Sequence, residues 1–278
     1  MLTGPFLDRN WMGQNADYNS ADIVMLGMPF DGTVSNRPGS RFAPEQIRLA
    51  SWGLEDYSPH FDKHLQDVNF HDAGDLEFPP GNTYKSLDII EKNVEEIYRD
   101  GKRVFGIGGE HLVTLPAVKA ISKFHKDLAI VHFDAHTDLR EEYLGEEMSH
   151  STVIRHISKI VGPENIKQIG IRSGMKEEFD FMRKHGTLIH EFSGLEPLRG
   201  KKIFVTVDLD VLDPSVMPGT GTPEAGGMDF NTLVDWFAYL KDLDIIGCDV
   251  VELAPDYDAS GASTVVAAKV IRELLIIC

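Results

Sequence analysis

The stretch that most constrains the fold of this chain is residues 128–138, Leu-Ala-Ile-Val-His-Phe-Asp-Ala-His-Thr-Asp. It begins as an apolar run typical of a buried parallel strand and then places Asp134, His136 and Asp138 at every second position. Successive side chains of an extended chain point to opposite faces, so these three share one face of the strand end. A core would not tolerate them without a counter-charge. The pattern indicates a cation site, with a solvated loop of turn-forming residues as the alternative.

The same pattern recurs at two other apolar runs. Residues 203–210 end in Asp208 and Asp210, again two positions apart. Residues 103–111 break into a glycine turn and present His111. Three strand ends therefore supply two histidines and four aspartates: His111, His136, Asp134, Asp138, Asp208 and Asp210. This recurrence makes a metal site the stronger interpretation.

Strand-like and helix-like segments alternate along the whole chain. About eight β-α alternations with continuous apolar strands predict a largely parallel sheet with helices on both faces. A closed eight-stranded barrel is the competing architecture, because the strand count suits it. In either case ligand sites lie at the carboxyl ends of the strands, where all six candidate ligands fall. No linker or repeat interrupts residues 1–278, so a single domain is expected.

Several segments are defined sharply enough to test against the structure. Apolar residues recur at steps of three and four across 83–100, which predicts a helix that Thr83 can cap and Gly101 ends. The predicted strands are 22–28, 67–71, 103–107, 128–133, 166–171, 187–190, 203–207 and 245–251. Another predicted helix begins near residue 44, and the remaining predicted helices cover 112–124, 150–161, 176–185, 229–241 and 263–276.

Composition and charge argue against several classes of protein. No apolar run approaches membrane-spanning length, and a net charge of -17 disfavours nucleic acid or an anionic membrane surface as partner. Residues 1–10 lack the basic start and apolar stretch of a signal peptide. The two cysteines, Cys248 and Cys278, do not suggest a disulfide framework. A soluble, cytoplasmic protein is therefore expected.

The candidate ligands also predict the kind of metal. Carboxylates and imidazoles without a thiolate favour Mn, Fe, Co, Zn or Ni. Two divalent ions balance four aspartates, and a bridging hydroxide then leaves the cluster slightly anionic, whereas one ion leaves buried carboxylates unpaired. Two bridged ions would lower the pKa of a shared water and hold it as a nucleophile. The residues thus predict a binuclear metallohydrolase, and a slightly anionic cluster fits a cationic substrate better than a phosphate ester.

Six motifs together resemble the ureohydrolases, the family of arginase and agmatinase. They run in order through nearly the whole chain: Gly-Gly-Glu-His at 108–111, Asp-Ala-His-Thr-Asp at 134–138, Ser-His-Ser-Thr at 149–152, Asp-Leu-Asp-Val-Leu-Asp-Pro at 208–214, Pro-Gly-Thr-Gly-Thr-Pro at 218–223 and Val-Val-Glu-Leu-Ala-Pro at 250–255. Residues 37–44 and 170–178 are similar to the bacterial agmatinase branch in particular. The resemblance implies an α/β, three-layer arginase-like fold with a parallel sheet of about eight strands between helices, which decides against the barrel.

The resemblance also implies how the metal ions would be held. One Mn²⁺ would be bound by His111, Asp134, Asp138 and Asp208. The second would be bound by Asp134, His136, Asp208 and Asp210. Asp134 and Asp208 would bridge the two ions.

Three residues acquire catalytic roles from the same resemblance. Glu252 would bind the substrate guanidinium through paired N–H donors and orient it toward a metal-bridging hydroxide. Asp138 would pass a proton to the leaving amine, and His150 would shuttle protons to solvent. Without the resemblance, His150 could be a water-facing histidine at a helix start and Glu252 a surface glutamate. His132, on the face of Asp134, is either a neighbour of the ligands or a satisfied core histidine.

Agmatine is the expected substrate, cleaved to putrescine and urea, a reaction of polyamine biosynthesis. Ser173 stands where arginase has the aspartate that reads the α-amino group of its substrate, and residues 139–148 replace a loop of arginase rich in Asn and Ser. Both departures disfavour arginine. We hypothesise that one glutamate of this acidic loop holds the ammonium of agmatine, with a merely solvated loop as the alternative: Glu141, Glu142, Glu146 or Glu147.

Two further functions stay open. One is another amidinohydrolase, acting on guanidinobutyrate, guanidinopropionate, formiminoglutamate or guanidine; a carboxylated substrate would call on a cation such as Arg140 or Arg172. The other is a catalytically silent metal-binding scaffold, which the intact ligand set disfavours. The family resemblance also suggests a homo-oligomer, a trimer or hexamer.

Overall fold

The structure is a computed structural model that describes residues 10–14 and 16–278. Nine strands are present in this part of the chain: β1 (Ile23–Met28), β2 (Tyr57–Ser58), β3 (Lys63–His64), β4 (Phe70–Asp75), β5 (Arg103–Gly108), β6 (Leu128–Phe133), β7 (Ile166–Ile169), β8 (Lys202–Asp208) and β9 (Asp244–Val251). Seven of them form one parallel sheet in the order β4-β1-β5-β9-β8-β6-β7. The remaining two, β2 and β3, pair antiparallel as a short hairpin that the sequence did not predict.

Helices cover both faces of the sheet: α1 (Ala43–Ser51), α2 (Thr83–Arg99), α3 (Thr114–Ile121), α4 (Val153–Val161), α5 (Lys176–His185), α6 (Phe230–Leu240) and α7 (Ala262–Ile277). The apolar core divides into two clusters. One contains buried residues of α1, α6 and α7, and the other contains buried residues of α2, α3 and α4. The predicted three-layer fold with a parallel sheet is confirmed, and the barrel is wrong.

Helix α2 shows how the sequence pattern becomes packing. Leu87, Ile90 and Val94 recur at helical spacing and are buried against the sheet. Asn82, not the predicted Thr83, caps the helix, because its side chain accepts a hydrogen bond from the Lys85 amide. The prediction missed the cap by one residue.

The sheet has seven strands instead of about eight because residues 187–190 do not complete a strand. Leu188 makes only an isolated parallel bridge with Gln168 of β7. Two backbone hydrogen bonds hold this segment: Gln168 donates to the Thr187 carbonyl, and Ile189 donates to the Gln168 carbonyl. The chain then enters a 3-10 turn at Phe192–Leu198.

The four central strands are neighbours in the order β5-β9-β8-β6. Their registers bring Ile107, Val250, Val207 and Phe133 to one level. All candidate ligands lie at or just after the carboxyl ends of these strands. The parallel sheet therefore brings them together near the middle of its carboxyl-terminal side.

Three further sequence predictions concern membrane-spanning segments, the two cysteines and the N-terminus. Within the described residues, no helix has the length and apolarity to span a bilayer. Cys248 and Cys278 are free thiols. The signal-peptide prediction concerns residues 1–10, of which 1–9 lie outside the described part.

Candidate metal centre

His111 lies at the centre of a buried group of carboxylates. Its Nδ1 is 3.2 Å from Asp134 Oδ2, 3.1 Å from Asp138 Oδ2 and 3.4 Å from Asp208 Oδ2. This nitrogen is buried and makes no hydrogen bond to any described residue. A buried imidazole nitrogen that faces three carboxylate oxygens without a hydrogen bond is typical of a metal ligand.

His136 forms a second group beside the first. Its Nδ1 lies 3.0 Å from Asp210 Oδ2 and 3.5 Å from Asp134 Oδ1. Asp134 therefore directs one oxygen to each histidine and belongs to both groups. Asp208 directs Oδ2 to His111, but its Oδ1 accepts a hydrogen bond from the Asp210 amide. Of the two residues predicted to bridge the ions, Asp134 lies within 3.5 Å of both histidine rings, whereas the described ion pairs place Asp208 beside His111 alone.

The electrostatics of this cluster fit a cation. Burial and the nearby charges of Asp210 and Asp134 raise the pKa of Asp208 well above its ordinary value. Burial and the charge of Asp134 raise the pKa of Asp210 to about 6. Burial also disfavours charge on Asp134, yet the adjacent imidazoles of His111, His132 and His136 hold its pKa well below the usual range. The carboxylates thus compete for few positive partners, and the described ion pairs offer them only histidines.

A second layer of buried polar groups lies behind His111. Its Nε2 is 3.0 Å from the Thr206 hydroxyl, which leaves the Nδ1 lone pair free to face the carboxylates. Thr114 donates a 2.8 Å hydrogen bond to Asp249 Oδ2 and lies 3.4 Å from the Thr206 hydroxyl. Burial raises the pKa of Asp249 to about 6, although a hydrogen bond from Thr206 opposes this. The sequence analysis did not predict this layer, although Asp249, a charged residue inside the apolar run 244–251, indicated a buried polar group there.

Glu252 and His150 lie beside the cluster and are both buried. Glu252 is 2% exposed and His150 8% exposed, so the water-facing alternatives are wrong. Glu252 Oε1 accepts a 2.8 Å hydrogen bond from the His111 amide and lies 3.3 Å from His150 Nδ1. Burial alone would lower the pKa of His150, but the hydrogen bond and charge of Glu252 raise it to about 9. Glu252 and Asp138 adopt φ values of 67° and 51°, and such left-handed conformations of non-glycine residues cluster at functional sites.

The loop after β1 reaches over the site through contacts that sequence reasoning did not identify. The Ser35 hydroxyl lies 2.9 Å from His150 Nε2, and the Thr33 hydroxyl accepts a 3.0 Å hydrogen bond from the His150 amide. Glu110 binds Thr33 through both carboxylate oxygens, and burial raises the pKa of Glu110 to about 8. Gly109 permits the close approach, because a Cβ there would meet the Phe30 carbonyl oxygen at 1.9 Å.

A cavity of about 280 Å³ opens next to the cluster. It is lined by residues of the cluster and of the flanking loops, among them Asp138, Asp208, His150, Arg140, Tyr143 and Ser173. The residues that line it do not include Glu252 or any of the four glutamates of the acidic loop.

The acidic loop borders this cavity through Arg140 and Tyr143, but not through its four candidate glutamates. Tyr143 and Glu146 close a tight turn through two backbone hydrogen bonds of 2.9 and 3.0 Å. Glu141 instead pairs with Arg155 and Lys159 of α4. The structure therefore gives no support to a glutamate of this loop as the group that holds a substrate ammonium.

Arg172 is occupied by backbone carbonyls. Its guanidinium donates to the carbonyls of Gly170, Asp210, Val211, Leu212, Glu224 and Ala225. It therefore fixes the chain around Asp210 and cannot also bind a substrate carboxylate. Of the two cations considered for that task, only Arg140 lines the cavity.

With this geometry in view, comparison with known proteins identifies the family. The model of the Arginase family matches residues 21–277. The chain belongs to the arginase family. Within the family, it is 48% identical over 275 residues to Agmatinase of Bacillus subtilis (strain 168), which covers 96% of this chain and 95% of the relative.

Solved structures of the arginase family superpose on the whole fold. Agmatine ureohydrolase of Thermoplasma volcanium gives a TM-score of 0.86 at 30% identity, covering 98% of this chain and 94% of the other. Proclavaminate amidino hydrolase from Streptomyces clavuligerus gives 0.87 at 31% identity, covering 96% of each chain. As a member of the arginase family with agmatinase-named relatives, the chain is a hydrolase that acts on guanidino compounds. The family fold and the buried His/Asp cluster together imply a binuclear metal site.

Proposed function

We propose that the protein hydrolyses agmatine to putrescine and urea at the His/Asp cluster, with two Mn²⁺ ions per subunit. The observation that carries this proposal is the place of Glu252, whose carboxylate is buried and bonded to the amide of His111. A guanidinium bound to that carboxylate lies next to the cluster. The 48% identity to an agmatinase supports agmatine in particular, as does Ser173 at the position where arginase reads an α-amino group.

The residues proposed to hold the ions are His111, Asp134, His136, Asp138, Asp208 and Asp210. The unpartnered Nδ1 of His111 and the crowded carboxylates fit divalent ions, and the four carboxylates suit manganese. When bound, the ions would lower the pKa of a water and so supply a nucleophile at neutral pH.

The side chains of this chain perform the remaining steps. Glu252 orients the guanidinium carbon toward the cluster through paired hydrogen bonds. Asp138 lies on the cavity side of the cluster, where it would take up a proton from the attacking water and pass it to the leaving amine, which departs only once protonated. His150 also lines the cavity and transfers protons between the site and solvent, with Ser35 as its hydrogen-bond partner.

The resemblance to ureohydrolases and the composition support further proposals on assembly, location, partners and metabolic role. The protein is a homo-oligomer, a trimer or hexamer, located in the cytoplasm. Its partner is a small cationic guanidino substrate, and the net charge of -17 supports the exclusion of nucleic acid and membrane partners. A role in polyamine biosynthesis follows from the proposed product.

One observation favours a second candidate, an amidinohydrolase of a carboxylated guanidine. Arg140 lines the cavity, and the described ion pairs give it no acidic partner; its guanidinium lies over the Tyr143 ring, 5.5 Å from the centroid. Such a cation would attract a carboxylate at the far end of a substrate and repel the ammonium of agmatine.

Urea release from equal concentrations of agmatine, arginine, guanidinobutyrate and guanidine tests the proposal. We expect the manganese-loaded protein to prefer agmatine strongly. Preference for guanidinobutyrate, lost in Arg140→Gln but kept in Lys159→Gln, would establish the second candidate. Lys159 is a matched control because it carries the same charge on α4 and does not line the cavity. No urea from any substrate with any divalent metal would overturn the proposal in favour of a silent scaffold.

A further inference from the structure

His132 stands among the potential ligands without a role in the chemistry above. Its ring, with His111, Asp134 and Asp138, forms one of the groups whose ligand atoms lie within 4.8 Å of one another. His132 is fully buried, and its Nε2 lies 2.8 Å from Asp134 Oδ2. Geometry alone therefore leaves two possibilities: Nε2 offers a lone pair to a metal, or it carries a hydrogen and donates to Asp134.

The neighbouring strand decides between them. Gln168 on β7 pairs in register with His132 on β6 and is also fully buried. Its amide nitrogen lies 2.9 Å from the Thr137 carbonyl oxygen and 3.2 Å from His132 Nδ1. Its amide oxygen accepts a 2.9 Å hydrogen bond from the Thr187 hydroxyl. All polar atoms of this side chain are thus engaged.

The orientation of the Gln168 amide follows from its partners. The Thr137 carbonyl can only accept, so the group that faces it must be the amide nitrogen. A reversed amide would place its oxygen against that carbonyl and lose the bond from Thr187. The second N–H of the amide then points at His132 Nδ1, which must accept. A neutral ring that accepts at Nδ1 carries its hydrogen on Nε2.

We propose that Gln168 fixes the tautomer of His132, so that His132 donates a hydrogen bond to Asp134 and is not itself a metal ligand. Gln168 and His132 are then positioning residues for Asp134, the carboxylate that both groups share. That Asp134 holds metal ions rests on the proposed function, whereas the tautomer does not. Partners of this kind orient metal-binding side chains, and their loss typically costs 10–100-fold in metal affinity.

The tautomer can be read directly by solid-state NMR of protein labelled with ¹⁵N-histidine, loaded with diamagnetic zinc. The resonances of His132 are assigned by their absence from His132→Asn. We expect a neutral ring with hydrogen on Nε2 and an unprotonated Nδ1. A wild-type ring with its hydrogen on Nδ1, or with Nε2 bound to zinc, would overturn the proposal, whatever the variants do.

Substitution of Gln168 tests the cause. Gln168→Glu replaces the donor by an acceptor of the same shape, so we expect the hydrogen to move to Nδ1 and metal affinity to fall about 10–100-fold. Thr187→Val is the matched control, because it removes only the partner of the amide oxygen; its tautomer should stay that of the wild type. An unchanged tautomer in a folded Gln168→Glu protein would refute the role of Gln168.

The outcomes separate this inference from the proposed function. An Nε2–H tautomer in a protein that releases no urea from agmatine would leave the inference standing and remove the function. Urea release from agmatine by a protein whose His132 ring carries its hydrogen on Nδ1 would refute the inference and leave the proposed function standing.

Discussion

The backbone amide of His111 donates a 2.8 Å hydrogen bond to Glu252 Oε1, across 141 residues of sequence. The Glu252 amide in turn donates a 2.8 Å bond to the Gly109 carbonyl. These reciprocal bonds join the ends of the adjacent strands β5 and β9. The carboxylate proposed to hold the guanidinium is therefore fixed to the backbone of a residue proposed to hold a metal ion. The sheet would therefore set the distance between a guanidinium bound to Glu252 and the proposed ions.

Glu252→Gln tests the guanidinium-binding role. The variant keeps the shape of the side chain and an oxygen for the His111 amide, but loses the charge that pairs with the substrate. Removing one partner of a buried charge pair costs about 2–5 kcal/mol, so we expect kcat/KM for agmatine to fall about 30- to 5,000-fold. Metal content, measured by mass spectrometry, should match the wild type. A variant with near wild-type kcat/KM would show that another group binds the guanidinium.

The ion pair of His150 with Glu252 should make stability depend on pH. The pKa of His150 is raised to about 9 in the folded protein, above an unfolded value near 6.5. Below about pH 6.5 the pair therefore makes its full contribution to the free energy of unfolding, about 3 kcal/mol. This contribution is lost as the pH rises through about 9.

The measurement compares thermal unfolding of the metal-free wild type and metal-free His150→Gln between pH 6 and 9.5. Heat is preferable to urea or guanidinium, which resemble the proposed product and substrate. We expect the difference in Tm between the two proteins to be largest at pH 6 and to shrink toward pH 9.5. A difference that grows with pH would contradict the proposed ion pair.

Much of this arrangement was predictable because it depends on strand ends. The alternation of side chains placed Asp134, His136 and Asp138 on one face, and parallel strands brought them to Asp208 and the other ligands at one edge. The hydrogen bonds of Gln168 and Asp249 were not predictable, since they depend on which strands are neighbours and in what register. The role of a glutamate of the acidic loop stays a prediction, because charge composition does not say which side chains of a loop reach a cavity.

The second layer behind His111 should matter for metal retention. Thr206→Val removes the hydroxyl that accepts from His111 Nε2, and we expect metal affinity to fall about 10–100-fold. Asp249→Asn should act in the same direction, because it weakens the acceptor behind Thr206. Thr206→Ser keeps the hydroxyl and should stay within about threefold of the wild type, which separates the hydrogen bond from packing. Equal metal affinity of Thr206→Val and wild type would exclude this role.

Metal removal should destabilise the fold. Without ions, Asp134, Asp138, Asp208 and Asp210 lose the counter-charges that the proposal assigns to them, and ligands that bind only the folded state raise its apparent stability. We expect a strong chelator to lower Tm, and manganese added back to restore it. An unchanged Tm, with metal loss verified by mass spectrometry, would show that the cluster is stable as an uncharged or protonated network.

The metal dependence of agmatine hydrolysis tests the proposed binuclear centre most directly. Protein stripped by a chelator is titrated with manganese, and urea release from agmatine is measured at each step. A binuclear centre predicts almost no urea from the stripped protein and a plateau at about two equivalents of manganese per chain. Undiminished urea release from the stripped protein, or a plateau at one equivalent, would contradict a binuclear centre at the His/Asp cluster.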